Sequence, residues 1–245
     1  MRMKAGVLIQ ARSKSSRLPG KIFEAIPVGG RPLLLHVFER MKKAAAGPVV
    51  FVIPEDDEHL RHFLSSAAVP YIAGSHNDVR LRYRLAAETL GIDAVVRATC
   101  DNPCLDPSFV KPSLAKLEEG LDLFSYSGLP LGMGVEVFTT HALESASMDG
   151  PEYREHVSLH IKHDERFKVL HEPFKSPPPA STPRLTVDTA EDLSVVRSVF
   201  QILGNDFGVE EVMNLFETRP EVFAENSGIE HRVFPRPGKP GETKR

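Results

Sequence analysis

Short apolar runs alternate with amphipathic stretches, one for one, from Ala5 to Gly120. Ala5 to Ile9, Val49 to Ile53, Val69 to Ala73 and Ala94 to Thr99 are short and largely aliphatic, as expected of strands covered on both faces. Pro32 suits a first helical turn, RPLLLHVFERMKKAA carries apolar residues at helical spacing, and Gly47-Pro48 ends that helix. Glu55 to Ser66 reads as a helix, Asp78 as the cap of a helix running to Gly91, and Pro107 as the start of one reaching Gly120. This alternation predicts the α/β class: a mostly parallel central sheet with helices on both faces. In such sheets the ligand lies beyond the carboxyl ends of the strands.

From Leu121 the rhythm changes. Strands are expected at Leu123–Tyr126 and Val135–Phe138, on either side of the loop SGLPLGMG, then helices at Thr140–Met148 and Pro151–Lys162. A Pro-rich link, KSPPPASTP, leads into an expected strand, Arg184–Val187, and helices at Glu191–Leu203 and Val209–Glu217. The expected organisation is one domain over residues 1–223 with an inserted segment at about 129–175, followed by a loose tail, 224–245, without apolar periodicity.

Composition narrows the function classes. At 41% hydrophobic and 26% charged residues, the chain of 245 can build a sizeable core. A net charge of −3 gives no global basic field for nucleic acid or an acidic membrane. No apolar run approaches the roughly 20 residues that span a bilayer, and MRMKAGVLIQ enters a strand pattern without signal-peptide features. Cys100 and Cys104, in CDNPC, match neither a CxxC pair nor a four-ligand zinc site, so free thiols and a cytoplasmic setting are expected.

Four stretches carry the chemistry. QARSKSSRLPGK follows the first strand with Arg12, Arg17 and Lys21, the serines 13, 15 and 16, and a Pro-Gly pair. Cations, hydroxyls and flexible backbone leaving a strand end can hold a polyphosphate; the bland reading is a solvated basic loop. VVRATCDNPCLDP delivers Arg97, Thr99 and Asp101 to the sheet's carboxyl edge, where a carboxylate facing phosphates suits Mg²⁺. Asp106, before Pro107, is sufficiently explained as a cap. RLTVDTAEDL places Asp188 at a strand end: either a second metal carboxylate, or a helix cap with Glu191 completing a capping box. AGSHNDVRLRYRLAAE sets Gly74, Ser75, Asp78 and Arg82 at another strand-to-helix junction, where Asp78 and Arg82 could simply form a helical ion pair. His156, His160 and His163 would share one face of a helix, but without HExxH order a zinc site is the weaker reading. GxSxG, GxGxxG and Walker loops are absent, which disfavours a hydrolase, a Rossmann dehydrogenase and a P-loop ATPase.

Taken in order, QAR…SSRLPGK, GS…DV…RY, R-x-T-x-DNP…DP, GVEVF, REHVS and LTVDTAEDL resemble the cytidylyltransferases that activate sugar acids, nearest the branch linked to spore-coat polysaccharide biosynthesis. The resemblance runs from about Lys4 to Phe200. It implies a nucleotide-diphospho-sugar transferase fold with an A-type glycosyltransferase-like sheet, and an Mg²⁺-dependent transfer of CMP from CTP to a sugar hydroxyl with release of pyrophosphate. Carried over by position, it assigns Arg12, Arg17 and Lys21 to the triphosphate, Ser16 to nucleotide binding, and Gln10 and Ala11 to the cytosine pocket. Ser75, Asp78 and Arg82 would lie near base or ribose. Asp101 and Asp188 become the metal ligands, and Glu136, Glu155 and His156 fall on the acceptor-sugar side. It also implies a homodimer through the inserted segment. Two departures stand out: Cys100 where family members often carry glycine, and Pro130-Leu131-Gly132 where Pro-Arg-Gly is common. The second removes a contact expected for an anionic sugar. The rival expectations are a nucleotidyltransferase or glycosyltransferase using another nucleotide, and a non-catalytic nucleotide-binding descendant.

Overall fold

A computed structural model describes residues 3–15, 17–26, 30–145, 148–175, 179 and 181–229. The first strand, β1 (Ala5–Gln10), is buried along its middle. A small antiparallel hairpin, β2 (Ala25–Ile26) with β3 (Arg31–Pro32), leads into α1 (Leu33–Lys43), whose buried residues recur at helical spacing. β4 (Val49–Pro54) is buried throughout. The next helix, α2 (Glu58–Ser66), starts three residues later than the expected Glu55, because Asp57 takes the cap and accepts from the Leu60 amide. β5 (Tyr71–Gly74) and α3 (Val79–Leu90) follow, α3 capped by Asp78 and ended by Gly91 at φ 58°. After β6 (Ala94–Thr99), a 3-10 turn at Pro107–Phe109 opens α4 (Val110–Glu118).

The second half contains β7 (Leu123–Ser127), β8 (Glu136–Thr139), α5 (Thr140–Glu144), α6 (Pro151–Glu155), α7 (Leu159–His163), β9 (Val169–Pro173), α8 (Ala190–Leu203) and α9 (Val209–Thr218). The sheet runs β5-β4-β1-β6-β8-β7-β9. Six strands point one way and β8 alone is antiparallel, with Arg97 paired opposite Glu136. The mostly parallel sheet with helices on both faces is therefore present. Side chains along β1 alternate between two cores: Val7 and Ile9 pack with Phe51, Val96 and Phe200, while Leu8 packs with Val52, Tyr83 and Phe138 on the other face.

Several expectations need correction, among them the helix expected over Thr140–Met148, which ends at Glu144. The helix expected over Pro151–Lys162 breaks into α6 and α7 because His156 turns extended (φ −102°, ψ 93°), so His156 does not share a helical face with His160 and His163. Arg184–Val187 is not a strand: Arg184 makes an isolated bridge to Leu131, and the backbone amides of Leu185 and Val187 bond to different segments, at the Leu131 and Asp101 carbonyls. β9 was not foreseen. In the stretch expected to be loose from residue 224, Asn226 is buried and donates to the Arg184 carbonyl and to Asp192 Oδ1. Residues 230–245 lie outside the described residues.

Candidate functional site

The carboxyl ends of β1 and β6 lie side by side, and the loops leaving them close a cleft of about 400 Å³. Gln10, Ala11, Arg12, Arg17 and Lys21 line it from the first loop. Arg97 and Asp101 line it from β6 and its loop, Glu155 and His156 from α6 and its C-terminal turn, and Arg82 and Asp188 from further off in sequence. Ser75 and Asp78 stay outside the lining, in the loop before α3, the helix that carries Arg82. The Ser75 hydroxyl accepts from the Asp78 amide, and Arg82 Nη1 donates to the carbonyls of Ser75 (2.5 Å) and His76 (3.2 Å) rather than pairing with Asp78. Glu136 lies on an adjoining cavity of about 260 Å³, and a third of about 340 Å³ shares Gln10, Arg12, Arg82 and Glu155. Ser16 lies outside the described residues.

Lys21 is the hub. Gly20, at φ 73°, turns the chain in the left-handed region so that the following 3-10 turn sends Lys21 inward. The side chain is almost wholly buried, and its ammonium reaches Asp101 Oδ2 at 3.4 Å, Asp188 Oδ1 at 3.1 Å and the Val187 carbonyl at 2.5 Å. Arg17 meets the same Asp188 oxygen at 2.9 Å, and Arg184 meets the other at 2.9 Å. Burial works to raise the Asp188 pKa, but the charges of Lys21, Arg17 and Arg184 outweigh it and hold the carboxyl below its usual range.

Asp188 does not cap α8. Thr189 does, accepting from the Asp192 amide while the Asp192 carboxylate accepts from the Thr189 amide. The capping box was legible as Thr189-x-x-Asp192, one residue beyond where it was expected. Asp106 is structural: it accepts from the Ser108 amide and, across the fold, from the Val209 amide.

Asp101 and Asp188 converge on one ammonium from two loops, with partly accessible side chains. Hard carboxylate oxygens so placed fit a small divalent cation, which takes one or two carboxylates and completes its shell with phosphate and water oxygens. Among the described residues no three His, Cys, Asp or Glu side chains group to hold a metal by themselves. A larger cavity, about 530 Å³, lies by α1 and α9, but its buried cation, Arg40, is already bonded to the carbonyls of Leu105, Asn205 and Phe207.

Sequence reasoning left three residues without a role in the site. Arg97 stands between the two cavities, Asn102 lines both, and Arg184 steadies Asp188. Arg97 had a signal, since a charge inside an apolar strand needs a reason.

Five cations and two convergent carboxylates gather at the carboxyl edge of the mostly parallel sheet, where such sheets bind their ligands, and together with the family match below they make the chain a nucleotidyltransferase. The sequence model of the cytidylyltransferase family matches residues 6–201, and the chain belongs to that family. It is 28% identical to the spore coat polysaccharide biosynthesis protein SpsF of Bacillus subtilis, over 89% of this chain and 96% of that one. It is 29% identical to the 8-amino-3,8-dideoxy-manno-octulosonate cytidylyltransferase of Shewanella woodyi, over 69% and 64% of the two chains. A solved cytidylyltransferase from Leptospira borgpetersenii superposes with a TM-score of 0.83 at 30% identity, covering 94% of this chain and all of that one. Among the described residues no helix is long and apolar enough to cross a membrane.

Proposed function

We propose that the protein transfers CMP from CTP to a hydroxyl of a sugar acid and releases pyrophosphate, supplying a precursor for a surface polysaccharide or related glycan. The observation that carries this reading is the cluster in which Lys21 and Arg17 meet Asp101 and Asp188 at the floor of the cleft. Both named relatives support it, one by its place in polysaccharide biosynthesis and one by its octulosonate substrate.

The sugar oxygen would attack the α-phosphorus opposite the pyrophosphate, so the new phosphorus–oxygen bond forms as the bond to the leaving group breaks. Catalysis of this kind is mostly positioning and charge neutralisation. Arg12, Arg17 and Lys21 hold the triphosphate, and Arg17 and Lys21 stabilise the pyrophosphate as its charge grows. Gln10 and Ala11 border the base, and the Ser75–Asp78 loop presents Arg82 towards base or ribose. Glu136, Glu155 and His156 lie on the acceptor side. Burial lowers the His156 pKa, so the imidazole is neutral near pH 7 and able to take the acceptor's proton. Mg²⁺ held by Asp101 and Asp188 would supply counter-charge to the phosphate oxygens. The enzyme works in the cytoplasm as a homodimer joined through residues 129–175, a segment that includes the edge strand β9 and its exposed Leu170. Light scattering at micromolar concentration tests the dimer, and a clean monomer would refute it.

The test of the reaction is pyrophosphate release with Mg²⁺ and each of CTP, UTP, GTP and ATP, against octulosonic acids, nonulosonic acids and neutral sugars. Release with CTP and a sugar acid, abolished by Asp101→Ala, is expected. If CTP neither binds nor reacts, the reading is wrong.

A further inference from the structure

The cavity of about 260 Å³ shares Arg97, Thr99, Asn102 and Leu131 with the main cleft, and none of Arg12, Arg17, Lys21 or Arg82 lines it. Its other walls are the loop before β8 and the ends of β7 and β8. Among the described residues Arg97 is the single cation on its wall and Glu136 the single carboxylate.

The charges there do not balance. Glu136 is bonded to Lys162 and to the Ser158 hydroxyl, so its charge is already met. Burial works to raise the Glu136 pKa, but Lys162 and Arg97 outweigh it and keep the carboxylate ionised. Arg97 approaches the same carboxylate only to 3.9 Å. Its guanidinium has a long hydrogen bond, 3.5 Å to Gln10 Oε1, and interacts with the Tyr83 hydroxyl, and its Nε has no hydrogen-bond partner. Two cations against one carboxylate leave one positive charge in the part-buried wall of this cavity, on a side chain held by Gln10 and Glu136 only at long range. A guanidinium so placed is prepared for a planar anion.

We propose that Arg97 determines acceptor specificity by receiving the carboxylate of the sugar acid in this smaller cavity. The assignment rests on the cytidylyl-transfer reading for calling this cavity the acceptor site. A triphosphate is the competing anion, but its other cations all lie on the far side of Arg97, in the cleft that the smaller cavity does not share with them.

The experiment measures binding of 3-deoxy-manno-octulosonate and of its C1 carboxamide by calorimetry, on the intact chain and on Arg97→Met and Arg97→Lys. The intact protein is expected to prefer the acid by about 10- to 100-fold, the worth of a charged hydrogen-bonded contact. Arg97→Met should bind acid and amide alike, and Arg97→Lys should keep part of the preference, since it retains the charge and loses the fork. If Arg97→Met fails to fold, Arg97→Lys decides, because a full preference there would overturn the assignment. No binding of the acid, equal binding of both probes by the intact protein, or a preference surviving in Arg97→Met would also overturn it. So would a loss of CTP affinity in Arg97→Met as large as the loss for the acid. Failure of the intact protein to bind CTP would refute the cytidylyl reading alone, because the comparison of acid with amide is made without nucleotide.

Discussion

Asp192→Ala should unsettle both the fold and the site, although Asp192 touches neither cavity. The carboxylate is fully buried and accepts five hydrogen bonds: from Arg184 Nε at 2.8 Å and Nη2 at 3.1 Å, from the amides of Asp188 at 2.9 Å and Thr189 at 3.1 Å, and from Asn226 Nδ2 at 2.9 Å. Alanine would leave Arg184 short of a buried partner, a loss of about 3–5 kcal/mol when one member of such a pair is removed. The reciprocal bond from the Thr189 amide is lost as well, although Thr189 still caps α8 through the Asp192 amide. Both effects run through one carboxylate, so they overlap rather than add, and about 4 kcal/mol is expected. For a chain of this length that is a fall of roughly 8–16 °C in melting temperature. CTP affinity should fall as well, because Arg184 and the amide of Asp188 both lose the group that fixes them. The assay is calorimetric melting with nucleotide titration on the same preparation. A change under about 1 kcal/mol, with CTP binding intact, would refute the claim that this network holds Asp188.

Lys21→Met should lower kcat/KM for pyrophosphate release by about 10²–10³ while the protein still melts cooperatively, since Asp188 keeps Arg17 and Arg184; a loss under tenfold would exclude Lys21 from the chemistry. Gly132 sits at φ 95°, and a Cβ there would come within 2.7 Å of the backbone at Leu185 and Thr186. Gly132→Ala should therefore destabilise by about 2–4 kcal/mol in urea melts and displace the segment that carries Asp188. Burial lowers His36 and His160 to about 4 from an ordinary value near 6.5. The stability of the neutral forms is present above pH 6.5 and is lost as pH falls towards 4, by about 3 kcal/mol for each histidine. His160→Gln should flatten the fall in stability between pH 6.5 and 4.5, and an unchanged slope would contradict the assignment.

The half of the fold up to α4 was legible because β1, β4 and β6 are buried along most of their length and read as largely apolar runs, and its helices keep one apolar stripe. The remainder was harder where backbone pairing outranks side-chain pattern. β9 is an edge strand held by its ladder to β7, and Leu170 and His171 at its centre are exposed, so no alternation marks it. The break between α6 and α7 has a long-range cause: Ser158 and Lys162 both turn to Glu136, a partner more than twenty residues earlier. The cations of the first loop and Asp101 were found from their places after strands. Arg184, Asp192 and Asn226 were not given roles at the site, because a buried polar network leaves no periodic trace.

The one-residue shift of the helix cap bears on the chemistry. Had Asp188 capped α8, its oxygens would have been used on backbone amides. Thr189 takes that role with Asp192, so both oxygens of Asp188 face cations. Lys21, Arg17 and Arg184 then stand against Asp101, Asp188 and Asp192, three charges of each sign, and the cluster is neutral as folded. Arg17 and Lys21 can still donate to a triphosphate, but their charge is already balanced, and the cations in the cleft outside that cluster are Arg12 and Arg82, once Arg97 is assigned to the acceptor. Two cations do not match the charge of a triphosphate, and burying an unmatched anion is costly. The deficit must be made up from outside the chain. That is the physical case for a divalent cation on Asp101 and Asp188, and it predicts that CTP and Mg²⁺ each bind more tightly in the presence of the other. Calorimetric titrations of each with and without its partner measure that coupling, and CTP affinity indifferent to Mg²⁺ would remove the case.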